Sequence, residues 1–526
     1  MQHDPLYPSD VVDAYRQAGL WTDDTFVNFF HDAAQRNPQQ EAICGPDMGG
    51  NWVSLTYQEL GQAIDATAGA LADRGIHRGD YVVIQLPNIV DYVIYVAAVF
   101  RLGAIPIFSL NSHGRAEITH FIRTTAARGY IGSARAGVTA AELQQEFPGL
   151  LLIQQPALEH QQGRDCLEPP VVPALDLAFL QISGGTTGTP KLIPRTHADY
   201  LYSVRESAKI CQLSAQTRFL VVLPASHNFT MSSPGILGVF YAGGTVVMCD
   251  EPSPSATMQM IAQHGVTMTA LVPPLALMWA RLQPMVQSDL SSLQLLQVGG
   301  AKLTPEAAQR VAQGIGCQLQ QVFGMAEGLV NYTRLHDSDE LIMNTQGRPM
   351  SPADEIIIVG EDGKEVPFGE SGRLLTRGPY TIRRYFNHAD PGSFTEDGFY
   401  CTGDIVRQLP SGHLVIEGRE KDQINRGGEK ISAEEIENHL LAHPGINDAA
   451  VVSVPDEYLG ERCGAFILTE QLSEADILEH LRGRGLAEYK IPDVFRIAAQ
   501  FPFTGVGKIS RKDLRRQLQN QFVNPA

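Results

Sequence analysis

Short apolar runs rich in β-branched residues alternate with longer segments patterned for helices, and this alternation constrains the fold more than any other feature of the chain. Tyr81 to Leu86 and Ala104 to Phe108 are two such runs, with a helical segment between them. Strand, helix and strand in that order predict a parallel sheet covered by helices, because parallel neighbours need a crossover connection. The pattern recurs at Phe219 to Leu223, Thr245 to Cys249, Met268 to Val272 and Leu293 to Val298, without a fixed-period repeat. One helix start is legible residue by residue. In LTYQELGQAIDATAGALADRG, Thr56 and Glu59 have the spacing of a capping box, and Leu55 and Leu60 that of a hydrophobic staple. Leu60, Ile64, Ala68 and Leu71 then form an apolar stripe at helical spacing, and Gly75 is the expected stop.

From residue 350 onward the texture changes: Glu355 to Val359, Gly372 to Thr376 and His413 to Glu417 read as short strands between Gly-containing turns. A smaller β-rich unit is therefore expected on the α/β body. GREKDQINRGGEK, Gly418 to Lys430, is dense in charge and glycine, and a helix capped by Ser432 with Glu435 follows it. The boundary falls near Lys421, dividing the chain into residues 1–420 and 421–526.

Forty Lys and Arg against 58 Asp and Glu leave a net charge of -18, which repels a phosphate backbone and argues against a nucleic-acid partner. An anionic cofactor could still bind where a few cations are placed beside its phosphates. The seven cysteines are scattered, with no CxxC pair, as in a reduced cytoplasmic protein. The N-terminal MQHDPLYPSD lacks the pattern of a signal peptide. The most apolar stretch, Tyr92 to Phe100, is too short to span a bilayer and reads as a buried helix.

SGGTTGTPK, Ser183 to Lys191, follows the apolar run Leu177 to Ile182. A loop of Ser183, Gly184, Gly185, Thr186, Thr187, Gly188 and Thr189 offers backbone N–H groups and hydroxyls to phosphate oxygens, and Lys191 adds positive charge. It is not a Walker A loop, since Pro190 precedes the lysine and Leu192 stands where a Mg²⁺-binding Ser or Thr would be. Taken alone, a loop of this composition serves equally as a surface turn.

The segment resembles the signature loop of the acyl- and aryl-adenylating superfamily, which includes acyl-CoA synthetases, luciferases and the adenylation domains of nonribosomal peptide synthetases. Further matches follow in order: Gly299, Gly300 and Ala301; QVFGMAEG from Gln321 to Gly328; YCTGD from Tyr400 to Asp404; GREKDQINRGGEK; and FPFTGVGKI from Phe501 to Ile509. The resemblance covers essentially the whole chain. It implies an α/β fold, with a large N-terminal domain of two α/β subdomains and a small β-rich subdomain, then a small mobile α+β C-terminal domain. It also implies ATP and Mg²⁺ as cofactors. Glu327 is similar to the acidic Mg²⁺ ligand, a role suited to a hard cation that prefers carboxylate and phosphate oxygens. Asp404 is similar to the carboxylate that accepts hydrogen bonds from both ribose hydroxyls, and Arg419 to a second ribose or phosphate contact. Gly300, Ala301, Val322 and Gly324 belong to the matched nucleotide-binding segments. Lys508 is similar to the lysine that bridges the substrate carboxylate and the α-phosphate, where a cation lets two anions approach. Lys421 occupies the hinge position of relatives whose small domain rotates between adenylation and thioester formation, presenting the loop around Gly427 and Gly428 to a thiol.

LPASHNFTMSSPGILGVF, Leu223 to Phe240, resembles the acid-binding region of the aryl-acid branch, the 2,3-dihydroxybenzoate-AMP and salicylate-AMP ligases of siderophore biosynthesis. Amino-acid-activating relatives carry an aspartate for the substrate ammonium where this chain has Asn228; a neutral amide suits a phenolic oxygen ortho to the carboxylate. His227 and Phe229 would belong to the aromatic wall, with His227 next to the chemistry. Ser233 and Val330 match the positions at which relatives preferring dihydroxybenzoate carry Ser and Val, and those preferring salicylate Cys and Leu. A buried serine hydroxyl can pair with a 3-hydroxyl, and valine leaves it room. The residues therefore favour 2,3-dihydroxybenzoate, with salicylate open because Phe229 departs from the Tyr common in dihydroxybenzoate enzymes. The expected sequence is aryl-AMP formation with release of pyrophosphate, then transfer to the phosphopantetheine thiol of an aryl carrier protein. With Lys508 so near residue 526, the carrier is expected in trans. An aryl-CoA ligase is the nearest alternative, and a non-catalytic nucleotide-binding homologue the more distant one.

Overall fold

Helix Val90–Arg101 explains the architecture, because all twelve of its residues are buried and protein must therefore surround it. It contacts Tyr81–Gln85 and Ile105–Phe108 of one sheet and Glu41–Pro46 of another. Its polar ends are tied to the protein: Asp91 Oδ2 accepts from Met48 N–H at 2.9 Å, and Arg101 pairs with Asp65 at 3.0 Å. The computed structural model describes residues 5–133, 140–154, 168–183, 190–386, 392–427, 429–456, 458–505 and 507–523.

Among the described residues the strands form four sheets. The first runs in the order Leu151–Gln154, Gly129–Gly132, Tyr81–Gln85, Ile105–Phe108, Leu177–Ile182, Leu192–Thr196 and is parallel except for the last pair. The second has a parallel centre of Gln318–Gly324, Leu295–Gly299, Met268–Leu271, Arg218–Val221, Thr245–Met248 and Glu41–Pro46. Antiparallel strands flank it on both sides, Val330–Tyr332 and Arg348–Pro349 on one and Trp52–Thr56 on the other. The third sheet is an antiparallel meander of Glu355–Val359, Ser371–Arg377, Tyr400–Gln408 and Leu414–Arg419.

A single 3₁₀ turn, Glu420–Asp422, separates that meander from the fourth sheet. There Glu429–Ser432, Gln423–Arg426, Gly460–Leu468 and Asp448–Asp456 pair antiparallel, and Val494–Ile497 adds in parallel. This last unit has its own apolar cluster, from Ile424 to Ile491. Arg310 joins it to the body by donating to the carbonyls of Leu441 at 2.6 Å and Ile446 at 3.3 Å. Among the described residues no helix is long and apolar enough to cross a membrane, and the cysteines are free.

Candidate active site

Parallel strands place their carboxyl ends on one side of a sheet, and ligands of α/β proteins bind there. Strand Leu295–Gly299 ends at Gly300, whose φ of +83° favours glycine. A Cβ on Gly300 would stand only 3.2 Å from Lys508 Cε, so the missing side chain is where Lys508 enters. The turn that carries Lys508 is closed locally. Thr504 N–H donates to the Lys508 carbonyl at 2.7 Å, Gly507 N–H to the Thr504 carbonyl at 2.9 Å, and Lys508 N–H to Thr504 Oγ1 at 3.2 Å. Gly505 lies against Ser112 and Gly507 against Val272, which seats the turn on the N-terminal body.

Lys508 shares its surroundings with Arg419, Asp404 and Glu327. Burial pushes its amine down to about 8, Arg419 adds to the shift, and the two carboxylates oppose it. Asp404 is buried; its Oδ1 meets Arg419 Nε at 2.9 Å, and its Oδ2 is enclosed with no hydrogen-bond partner. Burial raises the Asp404 carboxyl despite Arg419. A buried acceptor without a donor costs about 1–3 kcal/mol, so this oxygen is suited to a hydroxyl-bearing ligand. Glu327, 9% exposed, accepts from Tyr385 OH at 3.0 Å, and Tyr385 OH lies 3.2 Å from Tyr400 OH. Lys191 Nζ sits 4.4 Å from the centre of the Tyr385 ring, so the lysine of the Gly/Thr loop and Glu327 converge on one tyrosine.

Ser183 closes the base of that loop: its N–H donates to the Lys191 carbonyl at 2.9 Å, and its Oγ accepts from Lys191 N–H at 3.0 Å. The flanking strands are antiparallel, with Ile182 opposite Leu192. Gly184, Gly185, Thr186, Thr187, Gly188 and Thr189, expected to cradle phosphates, lie outside the described residues. Val322 is buried and Gly324 exposed on Gln318–Gly324, while Ala301 follows Gly300 on the surface.

His227 caps the short helix Asn228–Ser232, its Nδ1 accepting from Phe229 N–H at 3.2 Å. Burial first, and the charge of Lys508 second, hold this imidazole far below its ordinary pKa and hence neutral. Phe229 lies over Gly299, where a Cβ would come within 3.1 Å of its ring. Val330 faces Gly324 across the strand pair, with both methyls 3.2 Å from the position of a Cβ there. Two glycines thus make the room that Phe229 and Val330 fill. Asn228 is partly exposed, and its Oδ1 accepts from Tyr200 OH at 2.7 Å. Ser233 is buried next to Tyr332. Lys421 is exposed in the 3₁₀ turn, away from these groups in sequence but between the two sheets it connects.

Sequence reasoning missed Tyr385, Tyr200 and the buried pair Arg195–Asp199, and gave no role to Tyr400 of the matched YCTGD segment. Arg195 Nε pairs with Asp199 Oδ1 at 3.0 Å, and its two terminal nitrogens each donate at 2.8 Å to the carbonyls of Ala326 and Tyr380. Tyr380 OH in turn accepts from Val330 N–H at 3.2 Å. An arginine four residues before an aspartate, directly after the apolar Leu192, Ile193 and Pro194, was the available signal, since such charges are seldom buried unless paired.

The AMP-binding enzyme family matches residues 30–386, and the AMP-binding enzyme C-terminal domain matches residues 435–508. A 2,3-dihydroxybenzoate-AMP ligase of Bacillus subtilis (strain 168) is 49% identical over 98% of both chains. A salicyl-AMP ligase / salicyl-S-ArCP synthetase of Mycobacterium tuberculosis is 42% identical over 97% of this chain and 94% of its own. Among solved structures, apo MbtA of Mycobacterium smegmatis superimposes with a TM-score of 0.75 at 42% identity, covering 98% of each chain.

Proposed function

Because the chain belongs to the family of AMP-binding enzymes, we propose that it activates an aryl acid, 2,3-dihydroxybenzoate in the first place, as aryl-AMP. Pyrophosphate leaves in that step, and the acyl group then passes to the phosphopantetheine thiol of an aryl carrier protein in siderophore biosynthesis. One observation carries the reading: Lys508 is set against Gly300 in the joint field of Arg419, Asp404 and Glu327, and its charge also reaches His227 of the acid pocket. A single cation thereby serves both anions that must meet.

In the first half-reaction a carboxylate oxygen attacks the α-phosphorus of ATP, and the bond from that phosphorus to the pyrophosphate oxygen breaks. No protein nucleophile is needed. Lys508 lowers the repulsion between carboxylate and phosphate and aligns them, while Asp404 Oδ2 accepts from the ribose and Arg419 holds Asp404 in place. Neutral His227 adds no second positive charge beside Lys508 and leaves the acid's ring in an apolar setting with Phe229 and Val330. Glu327, nearly buried and accepting from Tyr385 OH, would hold Mg²⁺ through its carboxylate, a hard oxygen ligand of the type this cation takes together with substrate phosphates. The ion, when bound, would neutralise phosphate charge beside Glu327. In the second half-reaction the thiol attacks the acyl carbon and AMP leaves.

Ser233 and Val330, both buried, favour an acid with a 3-hydroxyl. Salicylate is the second reading, favoured by Phe229, which lacks a hydroxyl of its own. Acid-dependent exchange of labelled pyrophosphate into ATP tests the proposal: 2,3-dihydroxybenzoate is expected to exceed salicylate, and salicylate benzoate. Amino acids are expected to give none. An absence of exchange with every hydroxybenzoate would overturn the proposal. Acyl transfer to a phosphopantetheinylated aryl carrier, compared with free coenzyme A, separates the carrier reading from an aryl-CoA ligase.

The pH dependence follows from the sign of the Lys508 shift. A lysine is charged below its pKa, so lowering that pKa to about 8 removes the cation as the pH climbs through that value. The kcat/KM for pyrophosphate exchange is therefore expected to be level below this point and to fall above it. Lys508→Arg is expected to be slower yet to lose the descending limb, because a guanidinium stays charged. An unchanged limb in that variant contradicts the assignment.

A further inference from the structure

An asparagine can offer a pocket either its carbonyl oxygen or its amide N–H groups, and the choice decides which ligand atoms it recognises. In this protein the choice is made from behind. Tyr200 OH donates to Asn228 Oδ1 across 2.7 Å, and Ser232 Oγ donates to the same phenol oxygen across 2.6 Å. With its acceptor capacity met by Ser232, the phenol commits its one proton to Asn228. The ring itself is fixed, edge-on to Phe179 at 4.5 Å and beneath the Arg195 guanidinium at 4.9 Å. Burial raises the phenol to about 12, so the proton stays in place. Tyr200 is buried while Asn228 is partly exposed. A planar carboxamide whose oxygen is held by the buried Tyr200 turns its nitrogen away from that phenol.

We infer that Tyr200 is a positioning residue that presents the Asn228 amide N–H to the aryl acid, so that the pocket selects a hydrogen-bond acceptor ortho to the carboxylate and rejects an ortho amino group. The inference rests on the aryl-acid reading and deepens it. A phenolic oxygen brings lone pairs to a donor. An ortho amino group, its lone pair drawn into the ring, brings N–H against N–H and leaves both without partners. Asn228 by itself does not impose this preference, because a free carboxamide flips to suit either ligand; the tyrosine behind it does.

Pyrophosphate exchange with benzoate, 2-hydroxybenzoate and 2-aminobenzoate, run on the wild-type protein and on Tyr200→Phe, tests the inference. Wild type is expected to favour 2-hydroxybenzoate. In Tyr200→Phe its kcat/KM should fall about tenfold, through KM, as for one lost orienting hydrogen bond. Benzoate and the KM for ATP should barely change, and the ratio of 2-hydroxy to 2-amino acid should drop by about the same factor. Equal losses for all three acids, or an unchanged ratio, would make Tyr200 a packing residue and overturn the inference. Asn228→Asp gives a second reading that does not depend on how Tyr200→Phe folds. A carboxylate offers acceptors only, so 2-aminobenzoate is expected to overtake 2-hydroxybenzoate, and an unaltered order counts against the inference. If the wild-type protein exchanges with none of the three acids, the aryl-acid reading fails and the inference with it.

Discussion

Lys508→Ala is expected to lower the rate of aryl-AMP formation by at least about 10²–10³-fold, the range found when one preorganised donor to a developing charge is removed. Transfer from preformed aryl-AMP to the carrier thiol is expected to keep most of its rate. The split follows from chemistry and from where the residue sits. Adenylation brings a carboxylate onto a triphosphate, two anions in a protein of net charge -18, and Lys508 is the cation set between the acid pocket and Asp404. Thioester formation has no such approach of like charges, since aryl-AMP is already an activated electrophile. Lys508 also belongs to the C-terminal unit, which reaches the body through the 3₁₀ turn Glu420–Asp422, so a rotation at Lys421 would carry it away before the thiol arrives. Single-turnover measurements of each half-reaction read the two effects separately. Equal loss in both would place Lys508 outside the proposed role.

Asp199→Ala is expected to destabilise the N-terminal body by about 3–5 kcal/mol, as when one partner of a buried ion pair is removed. Arg195 and Asp199 are 2% and 0% exposed, so the guanidinium left behind would be a buried charge without a counterion. The carboxylate also accepts from Tyr7 OH at 2.8 Å and from the Thr196 N–H at 3.0 Å, and both donors would be orphaned. A shift in the first urea transition measures the loss. The double variant Arg195→Met, Asp199→Leu should recover the part that comes from the unpaired charge, while the Tyr7 and Thr196 donors stay without their acceptor. It should nevertheless adenylate poorly, since Arg195 holds the carbonyl of Ala326 beside Glu327 and that of Tyr380, whose hydroxyl meets the Val330 N–H. If the double variant is fully active, the pair is only structural.

What the sequence made legible was local. The capping box at Thr56 and Glu59 forms, helix Tyr57–Asp73 follows, and Leu60, Ile64, Ala68 and Leu71 are its buried stripe. Glu355–Val359 is a strand over the predicted residues, and Met268–Leu271 ends one residue short of the predicted run. Ser432 caps Ala433–Leu441 through the Glu435 N–H. Each of these depends on neighbours within one turn or one strand. The pairing order was not legible, because Glu41–Pro46 joins Thr245–Met248 across a large sequence separation and only the closed core selects that partner. The site divides the same way. Motif residues such as Lys508, Asp404 and Glu327 are marked by their own segments, whereas Tyr385 and Tyr200 act on residues far away in the chain and carry no local signature, and Arg195 is marked only by its spacing from Asp199. Tyrosines and arginines of this kind give no sign of their role until the structure shows what their polar ends touch.

The central claim, that an aryl carboxylate oxygen attacks the α-phosphorus beside Lys508, is tested most directly by following that oxygen. With the carboxylate of 2,3-dihydroxybenzoate labelled with oxygen-18, Mg·ATP and a phosphopantetheinylated aryl carrier, complete turnover is expected to leave one labelled oxygen in AMP and none in pyrophosphate. AMP without label, or label appearing in inorganic phosphate, would contradict it.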